Sequence, residues 1–383
     1  MSALHRPPRR RTLFGSAAVL ALICAGCPGE FARRPESEKR SSVTADSVTA
    51  DSEIAVADVP SPEAEDLVLE LDRVLARSAR SRTLSLPLHG AWQVLHGILA
   101  YGADFEVVVG GRSVSALQHL TSGGRIAGFD PRPGDPFGQP SRRGLVVDLQ
   151  PDSKVGQGHR DQWLAVLAQA GLKTSDTVKS NAGTFEMGDW VRQVEYDIPL
   201  NFEGEFSWTL IALTSFRDTD HRWTARDGQT YNIESLLKHE MQQSIEDSAC
   251  GGTHRLIGIA SALQRRRAEG KPMTENWRDA QALLEVTLEL AEDNQNGDGS
   301  YSASYLHRVG RTADLAESLG TTGHVLEFVA IAADDETLRK PWVRRTTRYL
   351  IEVLDACEDV DLECGVLYHA LHGLQELRKR LAS

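Results

Sequence analysis

Six segments of this chain are apolar on nearly every side of a helical wheel, and this feature limits the possible folds most strongly. They consist largely of Leu, Ile, Val, Ala and Gly. A helix that is apolar all round is buried on all sides, so each segment is predicted to form an inner helix of one large core. The segments are residues 88–99, 158–167, 206–213, 250–260, 323–330 and 364–374.

More polar, amphipathic helices are predicted between the apolar segments. Residues 277–292 and 340–356 are examples, and a further helix is predicted to begin at residue 62. Apolar side chains at helical spacing mark one face of each. The alternation of buried and amphipathic helices predicts a mainly α fold. We interpret it as an α/α toroid of about six inner and six outer helices, forming one domain over residues 62–383.

Two small β-hairpins are predicted as insertions between the helices. Residues 105–114 turn at Gly110-Gly111, and residues 222–231 turn at Asp227-Gly228. Such pairs favour tight hairpin turns because they tolerate a positive φ. The residues that follow, Ser115 and Asn232, are good N-caps for the next helix.

Residues 295–301, with the sequence Gln-Asn-Gly-Asp-Gly-Ser-Tyr, resemble a known structural repeat. The Gln-x-x-x-Gly-x-Trp element of squalene cyclases and prenyltransferase β-subunits has this form, with Tyr301 here in place of tryptophan. The resemblance implies an α/α toroid in which the glutamine caps helix ends and the aromatic ring stacks on the loop. The series of helices also resembles a family of exported bacterial lipoproteins of unassigned activity.

The chemistry of the cyclases is not implied by this resemblance. Those enzymes protonate their substrate with an Asp-x-Asp-Asp motif, and the nearest match here is residues 218–221, Asp-Thr-Asp-His. The last aspartate is missing and the segment is polar, whereas a catalytic acid needs an apolar site that raises its pKa.

The N-terminus is similar to a bacterial lipoprotein signal peptide. Four arginines precede an apolar stretch at residues 13–23, which ends in Cys24-Ala25-Gly26-Cys27. Residues 1–26 are therefore predicted to be removed and Cys27 to be lipidated. Ordinary signal cleavage and an uncleaved anchor are the alternatives. Either way the protein is expected in the cell envelope; with the lipid it would be membrane-anchored and face the periplasm.

Residues 27–61 are predicted to be a disordered tether. They are rich in Ser, Pro, Glu and Arg, and Ser-Val-Thr-Ala-Asp occurs twice in tandem. Such a segment buries too little apolar surface to offset its ordering entropy. The net charge of −12 argues against a nucleic-acid partner.

Histidines recur near the beginnings of the apolar segments. Parallel inner helices would gather these ends at one mouth, so a common cavity is expected there. The residues concerned are His89, His159, His254, His324 and His369, with the thiol of Cys250 and the carboxylates of Asp161 and Glu327 nearby. Taken singly, each histidine also fits a local role as a helix cap or a hydrogen-bonded core residue.

Three functions are compatible with this pattern. The favoured one is a cavity that binds a ligand or partner, with Trp92, Trp163, Trp208 and His369 in its wall. The alternative is an enzyme acting on an oxygenated small molecule or glycan by acid–base chemistry. Its catalytic residues would be His159, Asp161, His254, His324 and Glu327.

The third is a zinc site, for which Cys250, His254 and Cys364 are candidate ligands, with His324 as another donor. Their spacing matches no local zinc motif. Whether Cys357 and Cys364 form a disulfide is left open by the sequence. An enzyme should have an open pocket with titratable groups in reach of one another, whereas a structural toroid should have a plugged centre.

The lipid anchor is directly testable. Replacing Cys27 with serine should move the protein from the detergent phase to the aqueous phase in a phase-partition experiment, because the acyl chains would be lost. A wild-type protein that already partitions into the aqueous phase would contradict the lipoprotein assignment.

Overall fold

The structure, a computed structural model, describes residues 62–150, 153 and 155–382. The predicted signal peptide, the tether and Cys27 lie outside these residues. The described part is mainly helical, with a few small strand pairs. None of its helices is both long enough and apolar enough to cross a membrane.

The described residues contain thirteen α-helices and nine short strands. The helices are α1 (Pro62–Ser81), α2 (Ala91–Tyr101), α3 (Ala116–Thr121), α4 (Gln162–Gln169), α5 (Met187–Asp197), α6 (Ser207–Phe216), α7 (Ile233–Met241), α8 (Thr253–Ala268), α9 (Glu275–Asp293), α10 (Leu315–Ala332), α11 (Asp335–Leu338), α12 (Pro341–Ala356) and α13 (Cys364–Leu381). The strands are β1 (Leu84–Leu86), β2 (Glu106–Val109), β3 (Arg112–Ser115), β4 (Arg132–Pro133), β5 (Leu145–Val146), β6 (Thr177–Ser180), β7 (Gly183–Glu186), β8 (Arg222–Thr224) and β9 (Thr230–Asn232).

The six apolar segments form helices that contact one another in a closed order. Helix α2 packs on α4, α4 on α6, α6 on α8, α8 on α10 and α10 on α13, and α13 returns to α2. The other long helices pack against this set: α1 lies on α13, α9 on α8, and α12 on α10. The amphipathic pattern of α12 is confirmed, because Trp342, Leu350 and Val353 are buried.

Neighbouring inner helices run in the same direction. Along α10 and α13, Gly320 lies against Val366, Gly323 against Ala370 and Gly373 against Glu327, so the two residue numbers rise together. The C-terminal halves of α4, α6 and α8 line one cleft, and Gln264 of α8 donates a hydrogen bond to the carbonyl of Ile331 near the end of α10. The N-terminal halves therefore lie together at the opposite side.

The hairpins occur where the sequence predicts them, but their number was wrong. Strands β2–β3 and β8–β9 pair antiparallel, and Ser115 and Asn232 cap the following helices with their side chains. A third hairpin, β6–β7, leads into α5 in the same way. Its turn at Asn181-Ala182 lacks a glycine pair, so the turn signal was missed. Strands β4 and β5 pair antiparallel in the segment between α3 and α4, and β1 runs parallel to β2.

The loop at residues 295–301 follows α9 in the chain and hydrogen-bonds to both α9 and α12. The side-chain amide of Gln295 donates to the carbonyl of Trp342 at 2.7 Å and to Thr346 Oγ1 at 2.6 Å. The hydroxyl of the buried Tyr301 donates to the carbonyl of Ala291 in the last turn of α9, at 2.7 Å. The loop thus ties the last turn of α9 to the first turn of α12, and Tyr301 gives a partner to a carbonyl that the end of α9 would otherwise leave without one.

The close contact of α10 and α13 depends on glycine. A Cβ atom at Gly323 would lie 2.7 Å from the Cα and 2.9 Å from the backbone nitrogen of Ala370, and backbone atoms cannot move aside cheaply. Gly323→Val should therefore lower the free energy of unfolding by about 1–3 kcal/mol. Denaturant unfolding followed by circular dichroism measures this.

Gly297→Val is the matched control for that substitution. A Cβ at Gly297 would meet nothing within 4 Å, so its effect should stay within about 0.5 kcal/mol. Equal unfolding free energies for the two variants would contradict the close packing.

Candidate functional site

A cavity of about 350 Å³ lies among the N-terminal halves of the inner helices, and histidines line it. Residues from α2, α8, α10 and α13 contribute, together with the segments that precede α4 and α8. The side chains that line it and can take part in chemistry are His96, His159, Cys250, His254, His324, His369, Glu317 and Glu363, with Trp92 and Tyr305 beside them.

Most of the residues singled out in the sequence meet in this cavity. His159, Cys250, His254, His324, His369 and Trp92 line it. Trp208 of α6 borders it, because its ring centroid lies 5.3 Å from that of His254 and 6.1 Å from that of His159. His324 was expected near the beginning of its helix, but it lies in the middle, because α10 begins at Leu315 with Asp314 as its N-cap.

Four of the residues expected at the site lie elsewhere. Trp163 is fully buried on another face of α4 and packs against Phe129 at 4.7 Å between ring centroids. Asp161 accepts a hydrogen bond from Thr209 at 2.6 Å and lines a separate small pocket. Cys364 lines a neighbouring surface pocket, as does His89, which hydrogen-bonds to the backbone of Ser85. Their positions in the sequence placed these residues near the beginnings of the helices, but did not predict whether their side chains point into the cavity.

The thiols and the acidic loop also have clear positions. Cys250, Cys357 and Cys364 are all free, so Cys357 and Cys364 do not form a disulfide. Asp218 pairs with Lys271, and Asp220 pairs with Arg266 and with Lys271; these contacts hold the pKa of both carboxyls below the usual range. Both carboxyls therefore favour the ionised form, whereas a catalytic acid needs a raised pKa.

His254 is the least satisfied side chain in the cavity. The residue is 4 % exposed, and neither ring nitrogen has a hydrogen-bond partner. Burial, followed by the neighbouring His159, His369 and His324, holds its pKa well below the usual value. A buried polar atom without a partner costs about 1–3 kcal/mol, so this ring is expected to meet a ligand.

His324 offers a nitrogen to the same space. Its Nδ1 donates to the carbonyl of Gly320 at 2.7 Å, which leaves the buried Nε2 without a partner. One ring nitrogen of His254, one of His324 and the sulfur of Cys250 all lie within 4.8 Å of one another. Among the described residues, this is the one group of three metal-ligating side chains that converges in this way.

A strained turn holds Cys250 in place. Cys250, Gly251 and Gly252 have φ values of 53°, 62° and 77°, and α8 begins directly after them. The left-handed conformation costs a residue with a side chain roughly 1–2 kcal/mol. A Cβ at Gly251 would lie 2.4 Å from the Tyr305 ring, and one at Gly252 would lie 2.3 Å from the carbonyl oxygen of Ile245. The crowded glycines therefore fix the position of the thiol.

Cys250 and His324 influence each other electrostatically. Burial raises the pKa of the Cys250 thiol, but His324, through its charge and a hydrogen bond, outweighs it together with His159 and Tyr305, and the net pKa lies below the usual value. Burial lowers the pKa of His324, whereas the negative charge on Cys250 raises it, with a net value of about 9. In the absence of a metal the two groups therefore favour a thiolate–imidazolium pair.

The remaining histidines are held from behind by acceptors. His159 Nδ1 donates to Glu205, which also accepts from Ser207 at 3.0 Å. His369 Nδ1 donates to Glu327 at 2.8 Å. His96 Nδ1 donates to the carbonyl of Trp92 at 2.6 Å. Bonds of this kind fix the ring and leave Nε2 as the free lone pair, as they do for histidines that bind metals.

Glu327, a predicted catalytic carboxylate, lies behind the cavity. Its second oxygen accepts from His372 Nδ1 at 2.6 Å, so it bridges two histidines of α13. His96, His372, Glu205 and Tyr305 were missed in the sequence. His96 could have been found from the recurrence of histidine in the apolar segments, whereas Glu205 lies in a loop whose sequence gives no signal.

Comparison with known proteins found no matching family model, no similar curated protein and no similar solved structure. The chemistry of the cavity must therefore be inferred from its own residues.

The buried bridge at Glu327 predicts a pH-dependent stability. Burial disfavours the charged form of His372, but its bonds to Glu327 and Glu376 raise its pKa from 6.5 to about 9. Glu327→Gln removes the charge that His372 needs, and it should lower the free energy of unfolding by about 2–4 kcal/mol near pH 6. The raised pKa of His372 stabilises the folded state fully below its ordinary pKa of 6.5, and this stabilisation is lost as pH rises through the folded-state pKa of about 9. The stability deficit of Glu327→Gln should therefore shrink over the same pH range.

Denaturant titrations of the wild type and the variant between pH 6 and 10 measure this effect. Glu352→Gln on the exposed side of α12 serves as the control and should change little at any pH. A deficit for Glu327→Gln that stays constant up to pH 10 would contradict the bridge.

Proposed function

We propose that this is an exported, lipid-anchored α/α-toroid protein whose cavity binds zinc through Cys250, His254 and His324, and that it acts on a small molecule held beside the ion. One observation carries the proposal. The two buried nitrogens of His254 lack partners, and one of them lies within 4.8 Å of the Cys250 sulfur and a nitrogen of His324.

The toroid assignment is supported by the packing of the inner helices. Six helices contact one another in a closed order, adjacent members run in the same direction, and polar helices pack outside them. The resemblance of residues 295–301 to a cyclase repeat agrees with this architecture. The export and lipid-anchor assignments are supported by the sequence of residues 1–27.

The donor set favours zinc over harder ions. Thiolate and imidazole are typical zinc ligands, whereas magnesium and calcium require oxygen. A tetrahedral zinc would draw the three donor atoms to roughly 3.5 Å from one another, so the side chains would close slightly around it. Zinc would also take the place of the proton on His324, which makes binding weaker at low pH.

Three protein ligands are typical of a catalytic site, because the fourth position stays open to a small molecule. When bound, the ion would act as a Lewis acid on a ligand oxygen. His159, backed by Glu205, lines the same space and can exchange protons with that ligand. The cavity of about 350 Å³ is at the small end of ligand pockets, so it suits an oxygenated small molecule or a single sugar unit.

A second candidate function is nucleophilic catalysis by Cys250. The lowered pKa of its thiol and the nearby His324 favour this chemistry. The two proposals differ in the role of zinc. In the first, the Cys250 thiolate binds zinc; in the second, the thiolate is the nucleophile and the reaction needs no zinc.

The zinc site predicts a loss of metal affinity in specific variants. The full chain, purified in detergent and dialysed against a zinc buffer, should retain zinc when measured by mass spectrometry. Cys250→Ser should weaken binding at least tenfold at the Cys250 site, because serine does not replace a thiolate ligand at neutral pH. Cys364→Ser is the matched control and should leave zinc binding unchanged, because that thiol lies outside the cavity.

Thiol alkylation separates the two functions. In the zinc proposal, zinc protects Cys250 from iodoacetamide. If the chain binds no zinc and Cys250 reacts much faster than Cys364, the nucleophile is favoured and the zinc site is wrong.

A further inference from the structure

The cavity contains more nitrogen donors than one zinc ion needs. Once Cys250, His254 and His324 are assigned to the first ion, His96 and His369 remain next to it, with His159 on the other side of His254. The ring centroids of His96 and His369 lie 5.1 Å apart on the parallel helices α2 and α13. The His369 ring lies 4.0 Å from that of His324, so this pair adjoins the first site.

The hydrogen bonds fix what these two rings can do. His96 Nδ1 donates to the Trp92 carbonyl and His369 Nδ1 donates to Glu327, so each neutral ring carries its proton on Nδ1. The Nε2 atoms are then acceptors and cannot hydrogen-bond to each other. Among the described residues, none donates a hydrogen bond to either Nε2 atom.

The rings cannot leave this arrangement easily. His96 is 3 % exposed and His369 is 2 % exposed, and both Nδ1 bonds restrain the rings. Trp92 packs at a tilt on His96 with centroids 4.2 Å apart, and Gly365 allows the Trp92 ring to lie against α13. Two imidazole lone pairs are therefore held in one cavity, where they can bind a transition-metal cation.

We propose that the cavity holds a second divalent transition-metal ion, bound by Nε2 of His96 and Nε2 of His369 beside the first. The inference rests on the proposed function for its first site. The two ions together would form a dinuclear centre, in which a bound ligand can contact both metals.

Metal stoichiometry tests the proposal. The full chain is dialysed against buffered Co²⁺, and bound cobalt and the thiolate-to-cobalt absorption band are recorded. The wild type should bind two cobalt ions per chain and show the band, because Cys250 ligates the first ion. His96→Gln should bind one ion and keep the band, whereas Cys250→Ser should bind one ion and lose it.

His119→Gln, a histidine outside the cavity, is the control and should still bind two ions. One ion in the wild type with the thiolate band, or two ions in a folded His96→Gln variant, would overturn the second site and leave the first intact. No bound ion in the wild type would overturn the proposed function itself. Because the wild-type stoichiometry needs no variant, a poorly folded His96→Gln chain does not prevent a decision.

Discussion

The close, parallel contact of α10 and α13 is the constraint on which the site depends. Gly323 and Gly373 let the two backbones approach until a single added carbon would strike the opposite chain. At this distance Glu327 of one helix reaches His369 and His372 of the other. A larger side chain at either glycine would separate the helices and break the bridge. The orientation of the histidine cluster therefore depends on the packing of these small residues.

The cluster places similar groups together in one cavity among buried helices. His96 and His369 are held at Nδ1 by acceptors and present Nε2 to the cavity, so in their neutral form the two rings offer only lone pairs there and cannot hydrogen-bond to each other. Burial and mutual repulsion keep the pKa of His96 at about 3 and that of His369 at about 4. A structural core rarely keeps such an arrangement, because apolar residues of the same size would be more stable. This cost is the physical reason for assigning the cavity a ligand.

The sequence predicted the parts of the fold that depend on local pattern. Apolar segments became inner helices, and Ser115 and Asn232 became caps. The recurrence of histidine placed His254 and His369 near one mouth, since parallel helices align their ends. Direction around each helix was not predictable, and Trp163 therefore faces the core instead of the cavity. Glu205 could not be found either, because a loop residue reaches the site only through tertiary packing.

The cysteines show why residue type alone did not identify the candidate metal ligands. Cys364 lies at the start of an inner helix, as the sequence indicated, but burial and Glu363 raise its pKa to about 11. Cys250 lies in a left-handed turn that most residues with side chains avoid, and its pKa is lowered by His324. Strain of this kind persists where the surrounding structure enforces it, often at functional sites. Because glycine would relieve the strain at Cys250, the sulfur itself is the reason to keep a side chain there.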